Sequence, residues 1–243
     1  MTLGRIFIGH LITINLHQTT MKKLFAALLA TTCSLHATPA VAEQKLTKGY
    51  FTMDAMGCMI LKECTEGVVQ ISAADDLDTF YPHSDWRAVK VEFARMLNAL
   101  TLIGVDVYLA DQKYFPVGHR GVYHTVSNDF YLNRAYMHRP NVLMSVMRHE
   151  GWHAAQDCMA GTIDNSMIAI IKPEDEVPSV WRKMVERTYP KSAWPWEAEA
   201  TWAGKTERMT QDALEACASG SMWTKYKPTP LTEKWLRENN YID

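Results

Sequence analysis

The sequence has no excess of charge of one sign. Its 243 residues include 25 Lys and Arg and 27 Asp and Glu, which gives a formal net charge of -2 at pH 7. No basic region is present to attract a phosphate backbone, and no block of like charges forms a tail. These absences exclude a nucleic acid as an expected partner.

No apolar run in the sequence is long enough to cross a bilayer, which takes about 20 residues. The run at residues 24–30 follows Lys22 and Lys23, and it precedes the small residues Ala40-Val41-Ala42. This order is typical of a cleavable signal peptide. We therefore predict a signal peptide at residues 1–42, cleavage after Ala42, and export to the periplasm or the extracellular space.

A membrane anchor is the alternative interpretation of this N-terminal region. The shortness of the run at residues 24–30 disfavours it, and we expect no membrane span after cleavage. Met21 directly precedes the two lysines. This position suggests the hypothesis that residues 1–20 are an extension arising from a misplaced start.

The sequence contains no C-x-x-C pair. Cys33 lies in the predicted signal peptide, and the other cysteines are Cys58, Cys64, Cys158 and Cys217. An even number of cysteines in an exported chain predicts two disulfides. Of the possible pairings we favour Cys58 with Cys64 and Cys158 with Cys217. Zinc ligation by cysteine is the alternative, and the spacing disfavours it.

Internal repeats, low-complexity tracts and linkers rich in Gly or Ser are also absent after residue 42. The hydrophobic content of 47% is sufficient for one sizeable core. We therefore predict a single domain over residues 43–243.

Hydrophobic periodicity predicts an α+β fold with a small sheet. Strand-like patterns occur at residues 105–109, 121–125 and 130–133, separated by turn residues. A helix is predicted over residues 84–102, capped by Ser84, and another over residues 140–159, with a proline in its first turn. The other predicted elements are short strands within residues 50–72, a helix at residues 174–187 that is interrupted near Pro178, and helices at residues 196–217 and 229–239, the last of them capped by Thr229.

The helix at residues 140–159 contains the pattern H-E-x-x-H, formed by His149, Glu150 and His153. Two imidazoles four residues apart project from the same helical face and can bind one zinc ion. The glutamate between them can act as a general base towards water without binding the metal. The alternative is a chance match, in which both histidines are ordinary surface or core residues.

A second acidic segment, Trp196-Glu197-Ala198-Glu199-Ala200, lies downstream. With the H-E-x-x-H pattern it resembles the gluzincins of the zincin superfamily, over about residues 104–204. The resemblance implies a zincin-like fold, in which a small, mostly antiparallel sheet packs on the metal-binding helix and further helices follow. It also implies that Glu197 is the third metal ligand, with Glu199 as the fallback.

This chain departs from the family pattern at Thr201, where the longer motif has Asp or Asn. A side chain that hydrogen-bonds to a metal-binding histidine must then come from elsewhere. Gln156 lies three residues after His153 on the same helical face, so it is a candidate for that contact, although a plain surface glutamine fits equally well. The resemblance further implies that the strand at residues 121–125 borders the cleft, where an extended peptide could pair with it.

Three protein ligands leave one zinc coordination position open for water, which favours catalysis over a purely structural site. We therefore predict an exported zinc metallohydrolase, a peptidase that binds one Zn²⁺ per chain and acts on peptide or protein substrates. The alternative is an inactive, zinc-stabilised binding protein of the same fold. His119, His124, His138 and Tyr123 could stabilise an oxyanion, but none is assigned that role.

Overall fold

The computed structural model describes residues 55–160, 168–227, 229–230 and 233–241. The predicted signal peptide and its cleavage site lie outside these residues. Within the described ranges, no helix combines the length and the apolar character needed to cross a membrane.

A four-stranded sheet forms one layer of the domain, in the order β1-β2-β4-β3. β2 and β4 pair in parallel, whereas β1 with β2 and β3 with β4 pair antiparallel. The predicted α+β class is therefore confirmed, and the sheet is mixed. The strands are β1 (Val68–Gln70), β2 (Asp106–Ala110), β3 (Gly121–His124) and β4 (Asp129–Asn133).

The helices pack mainly on one face of this sheet. A short strand pair, β5 (Ala169–Ile170) with β6 (Thr229–Pro230), forms a separate two-stranded sheet. The helices are α1 (Ala55–Ile60), α2 (Asp76–Phe80), α3 (Lys90–Leu102), α4 (Pro140–Met159), α5 (Ser179–Thr188), α6 (Trp194–Ala203), α7 (Met209–Ala218), α8 (Met222–Lys225) and α9 (Glu233–Glu238).

The central element is α4, which has the predicted bounds and begins with Pro140 in its first turn. It contacts β3 and β4 on one side and α6 and α7 on the other. Its Trp152 is among the largest fully buried side chains. A Cβ on Gly151 would lie 3.1 Å from Thr210 Cγ2 of α7, so the lack of a side chain there permits the close packing of the two helices.

Residues of the strands alternate between two cores, as the two-residue period of a strand requires. Val107, Leu109 and Phe130 join the main core with α3, α4 and α7. Tyr131 belongs to a smaller cluster on the opposite face, with Met59 of α1. The sheet thus separates the helical core from a small N-terminal layer.

Two predictions for the N-terminal half were wrong in part. Residues 55–60 form a helix rather than a strand, because Met56, Met59 and Ile60 face the same core at helical spacing. The helix predicted from residue 84 begins at Lys90. Ser84 does not cap it, since its hydroxyl donates to the carbonyl of His138 at 2.6 Å.

The C-terminal half differs from its predictions in the helix ends. The single helix predicted at residues 196–217 is divided into α6 and α7, because Arg208 adopts a left-handed φ of 63° directly before α7. The interruption predicted near Pro178 in the helix at residues 174–187 is confirmed, since a 3₁₀ turn precedes Pro178 and α5 follows it. Thr229, predicted as a helix cap, pairs with Ile170 as a strand residue instead.

Both disulfides form in the pairing that the sequence favoured. Cys58–Cys64 closes the N-terminal layer, and Cys158–Cys217 joins the end of α4 to the end of α7. The two disulfides are compatible with export to an oxidising compartment. Because all four of these cysteines are in disulfides, the alternative of zinc ligation by cysteine is removed for them.

We expect the two disulfides to stabilise the domain unequally. Cys158–Cys217 spans 59 residues of sequence, whereas Cys58–Cys64 spans 6. Loop-closure entropy gives about 4 kcal/mol for the longer loop and about 2 kcal/mol for the shorter. Unfolding by urea should therefore show a larger loss for the Cys158→Ala/Cys217→Ala double variant than for the Cys58→Ala/Cys64→Ala double variant. Equal losses would contradict this account.

Candidate metal centre

His149, His153 and Glu197 form a group that could hold a metal ion. One ligand atom from each lies within 4.8 Å of the others. His149 Nε2 is 3.3 Å from Glu197 Oε2, and His153 Nε2 is 3.6 Å from Glu197 Oε1. The i, i+4 spacing on α4 places the two imidazoles side by side, and α6 brings the carboxylate opposite them.

The ligand atoms of His149, His153 and Glu197 are suited to a cation. Glu197 Oε2 is buried and has no hydrogen-bond partner of good geometry among the described residues. Two imidazoles and one carboxylate are a donor set that zinc prefers, and the cluster borders an open cleft rather than a closed interior. The residues present therefore fit a metal ion.

Gln156 makes the histidine contact that the sequence left open. Its Oε1 is 2.8 Å from His153 Nδ1, and its Nε2 donates to Glu199 Oε2 at 2.9 Å and to the carbonyl of Trp196. These two acceptors orient the amide, so His153 Nδ1 carries a proton and Nε2 is the ring nitrogen that can bind a metal once it has lost its own proton. Gln156 therefore replaces the contact expected from an acidic residue at position 201.

Glu199, the fallback ligand, does not reach the histidine group. Its carboxylate is fully buried and accepts hydrogen bonds from Trp152 Nε1, Gln156 Nε2 and the amides of Ile171 and Lys172, at 2.6 to 3.1 Å. Burial raises the pKa of Glu199 to about 7, against the opposing effect of these donors. Of the two glutamates, the geometry brings Glu197 to the candidate centre.

The histidines and Glu197 interact strongly when no metal is bound. Burial disfavours a charge on His153, but the carboxylates of Glu197 and Glu150 and the Gln156 hydrogen bond together outweigh this effect and raise the pKa of His153 to about 9. Burial likewise opposes the charge on Glu197, yet the two imidazoles hold the pKa of Glu197 well below its usual range. A metal must therefore displace a proton from His153 in order to bind.

Glu150 is held by the edge strand β3. Its Oε2 accepts a hydrogen bond from the backbone amide of Tyr123 at 3.0 Å. A Cβ on Gly121 would come within 2.5 Å of Val146 Cγ1 and 3.1 Å of Glu150 Cγ. Only glycine lets the strand approach α4 this closely. The carboxylate therefore has a fixed place beside the candidate centre without facing it as a ligand.

A buried polar network anchors the same strand. The Tyr123 hydroxyl donates to Asp157 Oδ2 at 2.6 Å and lies 3.0 Å from Asn128 Oδ1. Burial raises the pKa of Asp157 to about 7, and the Tyr123 hydrogen bond only partly opposes this. The side chain of Tyr123 thus ties β3 to α4, while its amide holds Glu150.

The candidate centre lies in a cleft with a volume of about 1000 Å³. One wall is β3, which is the outer strand of the sheet. The other wall contains Met184, Thr188, Tyr189 and Trp196. The two histidines thus lie in a cleft between an edge strand and the region of α5 and α6.

Tyr189 is a site residue that sequence reasoning missed. Its hydroxyl interacts with the carboxylates of Glu197 and Glu150, and burial followed by these two charges raises the pKa of Tyr189. The residue follows the last turn of α5 and precedes Pro190. No periodicity or motif marks such a position, because a loop brings it to the site.

The four residues considered as oxyanion stabilisers have different positions. His119 and Tyr123 line the cleft, although the Tyr123 hydroxyl is already bonded to Asp157. His124 Nδ1 contacts Ser127 Oγ within its own turn. His138 and His124 are not among the described residues of the cleft wall.

Comparison with models of protein families, with curated proteins and with solved structures gives no match for this chain. The function is therefore argued from the geometry of the site.

We expect replacement of Asp157 by Asn to alter the dependence of stability on pH. The folded-state pKa of about 7 exceeds the ordinary value of about 3.9, so the native state binds more protons than the unfolded state between these values. Stability from this group is hence lost as pH rises through that window. Asn cannot ionise, yet its carbonyl can still accept from Tyr123.

The measurement is the unfolding free energy of both proteins at pH 4.5 and pH 8. Relative to wild type, Asp157→Asn should gain on the order of 2 kcal/mol between the two pH values. Glu199 titrates in the same window, but it is present in both proteins and cancels. A difference that is constant with pH would rule out a titrating carboxyl at position 157.

Proposed function

We propose that this protein is a zinc-dependent hydrolase that cleaves peptide bonds. The observation that carries the proposal is the group of His149, His153 and Glu197 at the floor of an open cleft, with Glu150 beside it and outside the ligand set. A structural zinc site needs four protein ligands, whereas a hydrolytic site keeps one position for water.

A zinc ion held by these residues would act as a Lewis acid and lower the pKa of water in the site. Glu150 would accept a proton from the attacking water and return it to the leaving nitrogen. The Tyr123 amide keeps the Glu150 carboxylate in place for both transfers. This hydrogen bond makes Glu150 a base that is positioned before the substrate arrives.

Tyr189 would stabilise the negative charge that develops on the substrate carbonyl oxygen. Its hydroxyl lies near Glu197 and Glu150, on the wall of the cleft opposite β3. The raised pKa keeps the hydroxyl protonated at neutral pH, so it remains a hydrogen-bond donor. Tyr189 is therefore the residue we assign to oxyanion stabilisation.

An extended peptide is the substrate form that suits the cleft. β3 is an outer strand, and a peptide can add to such an edge through backbone hydrogen bonds. Export remains part of the proposal, and the two disulfides support it.

A metal-binding protein without turnover is the second candidate function. It is favoured by the ligand group itself, because two imidazoles and one carboxylate can bind a metal whether or not turnover follows. The position of Glu150 favours catalysis, because a binding protein has no use for a base held beside the metal.

Metal content should distinguish the ligands from their neighbours. We expect about one zinc per chain in wild type, and little in His153→Ala. Glu197→Gln should bind zinc weakly and recover with added zinc, because a neutral amide replaces a charged ligand. Elemental analysis after dialysis measures this.

The reference variant for metal content is Glu176→Gln, the same chemical change at a site away from the cleft. Glu176 is exposed, and its Oε2 lies 3.6 Å from Lys172 Nζ in a surface ion pair. It should therefore keep the zinc content of wild type. Full zinc content in His153→Ala would overturn the ligand assignment.

Turnover should depend on Glu150 without a loss of metal. Glu150→Gln can still hydrogen-bond to water but cannot accept its proton, so we expect kcat for peptide hydrolysis to fall at least about a hundredfold with zinc retained. In the same assay, Tyr189→Phe should lower kcat by about a hundredfold with little change in KM. Tyr108→Phe, on the opposite face of the sheet, is the matched control. Unchanged hydrolysis in Glu150→Gln would refute the mechanism.

A further inference from the structure

Two cationic side chains line one end of the cleft. Lys205 follows α6, and its Nζ donates to Ser145 Oγ at 2.9 Å. Arg120 directly precedes Gly121, which packs against Val146. Ser145 and Val146 are neighbours on α4. Both cations therefore belong to the same end of the cleft, about one helical turn before the first metal-binding histidine.

Neither cation is neutralised by a carboxylate. Within the described part of the chain, no Asp or Glu lies within ion-pair distance of Arg120 or Lys205. Arg120 instead stacks over the Tyr136 ring, with 5.5 Å from Cζ to the ring centroid. Both side chains are exposed. An uncompensated positive region thus borders the cleft of a chain whose net charge is -2.

The acidic residues among the described lining of the cleft are Glu150 and Glu197, and both belong to the candidate centre. The end of the cleft that carries the two cations therefore has no described acidic side chain of its own to repel an anion. The electrostatic potential at this end of the cleft attracts a negative group on a ligand and disfavours a positive one.

The direction of β3 indicates which part of a peptide would reach the cations. The strand runs from Gly121, beside Val146, to Tyr123, beside Glu150 and Asp157. The Tyr123 amide points away from β4 and towards α4, so this edge of the strand faces the cleft. Antiparallel pairing is slightly more stable per residue than parallel pairing. A peptide added to β3 in the antiparallel direction would run with its C-terminal part towards the end of the cleft that carries the two cations.

We propose that Arg120 and Lys205 bind a carboxylate of the substrate, on the C-terminal side of the bond that is cleaved. The inference rests on the proposed peptidase function and adds the substrate class to it. The carboxylate is either the C-terminus of the peptide or the side chain of an Asp or Glu residue. Both present the same charge to the guanidinium and ammonium groups.

Three randomised peptide libraries of equal length distinguish these sources. The first has a free C-terminus and no Asp or Glu, the second has a C-terminal amide and contains Asp and Glu, and the third has a C-terminal amide and no acidic residue. Each carries an N-terminal fluorophore. Binding to the Glu150→Gln protein is measured by fluorescence anisotropy at low and high salt, so the result does not depend on turnover.

We expect the first or the second library to bind about three- to tenfold more tightly than the third at low salt. High salt should reduce this preference, because both cations are exposed. A preference for the first library identifies the terminal carboxylate, and a preference for the second identifies an acidic side chain. Equal binding of all three libraries, or binding of none, would overturn the proposal.

Variants at the two cations test the assignment. Arg120→Gln and Lys205→Gln should each reduce the preference for the tighter-binding library, whether it is the first or the second. Neither variant should change binding of the third library. Arg95→Gln, an exposed change on α3 away from the cleft, should retain the preference. A preference that survives both cleft substitutions would also overturn the proposal.

Digestion of the same libraries by wild type separates this proposal from the proposed function. Cleavage of all three libraries at equal rates would support a peptidase and contradict carboxylate recognition. Binding that depends on Arg120 and Lys205, without cleavage of any library, would support carboxylate recognition and contradict a peptidase.

Discussion

The hydrogen bonding of the Glu199 carboxylate is the constraint on which the candidate site depends. A buried carboxylate costs several kcal/mol unless donors satisfy it. Here the donors come from α4, through Trp152 and Gln156, and from the backbone after β5, at Ile171 and Lys172. A single side chain of α6 therefore fixes the position of that helix against two other parts of the fold.

Two structural links connect the Glu199 carboxylate to the candidate centre. Gln156 links Glu199 to the Nδ1 atom of His153, which fixes the ring and its tautomer. Glu197 lies two residues before Glu199, and such residues point about 200° apart on a helix. With Glu199 directed into the core, Glu197 lies on the other side of the helix, where it meets His149 and His153. The two glutamates of one short motif thus have separate tasks.

Sequence patterns predicted the parts of the site that depend on local spacing. The i, i+4 histidines and the bounds of α4 follow from periodicity, and the strands β2, β3 and β4 were placed to within a residue or two. The choice between Glu197 and Glu199 depends on the rotation of α6 about its axis, which the sequence does not determine. Tyr189 reaches the cleft through a loop, and the parallel pairing of β2 with β4 depends on long-range topology.

The groups around the site also indicate how a metal would be accepted. Without a metal, a proton on His153 compensates the charge of Glu197, so the ligands are already gathered by an ion pair. A metal that binds these residues would take the place of that proton. Gln156 and the Tyr123 amide hold His153 and Glu150 through protein contacts alone, so the orientation of both side chains depends on how α4 packs against β3 and α6.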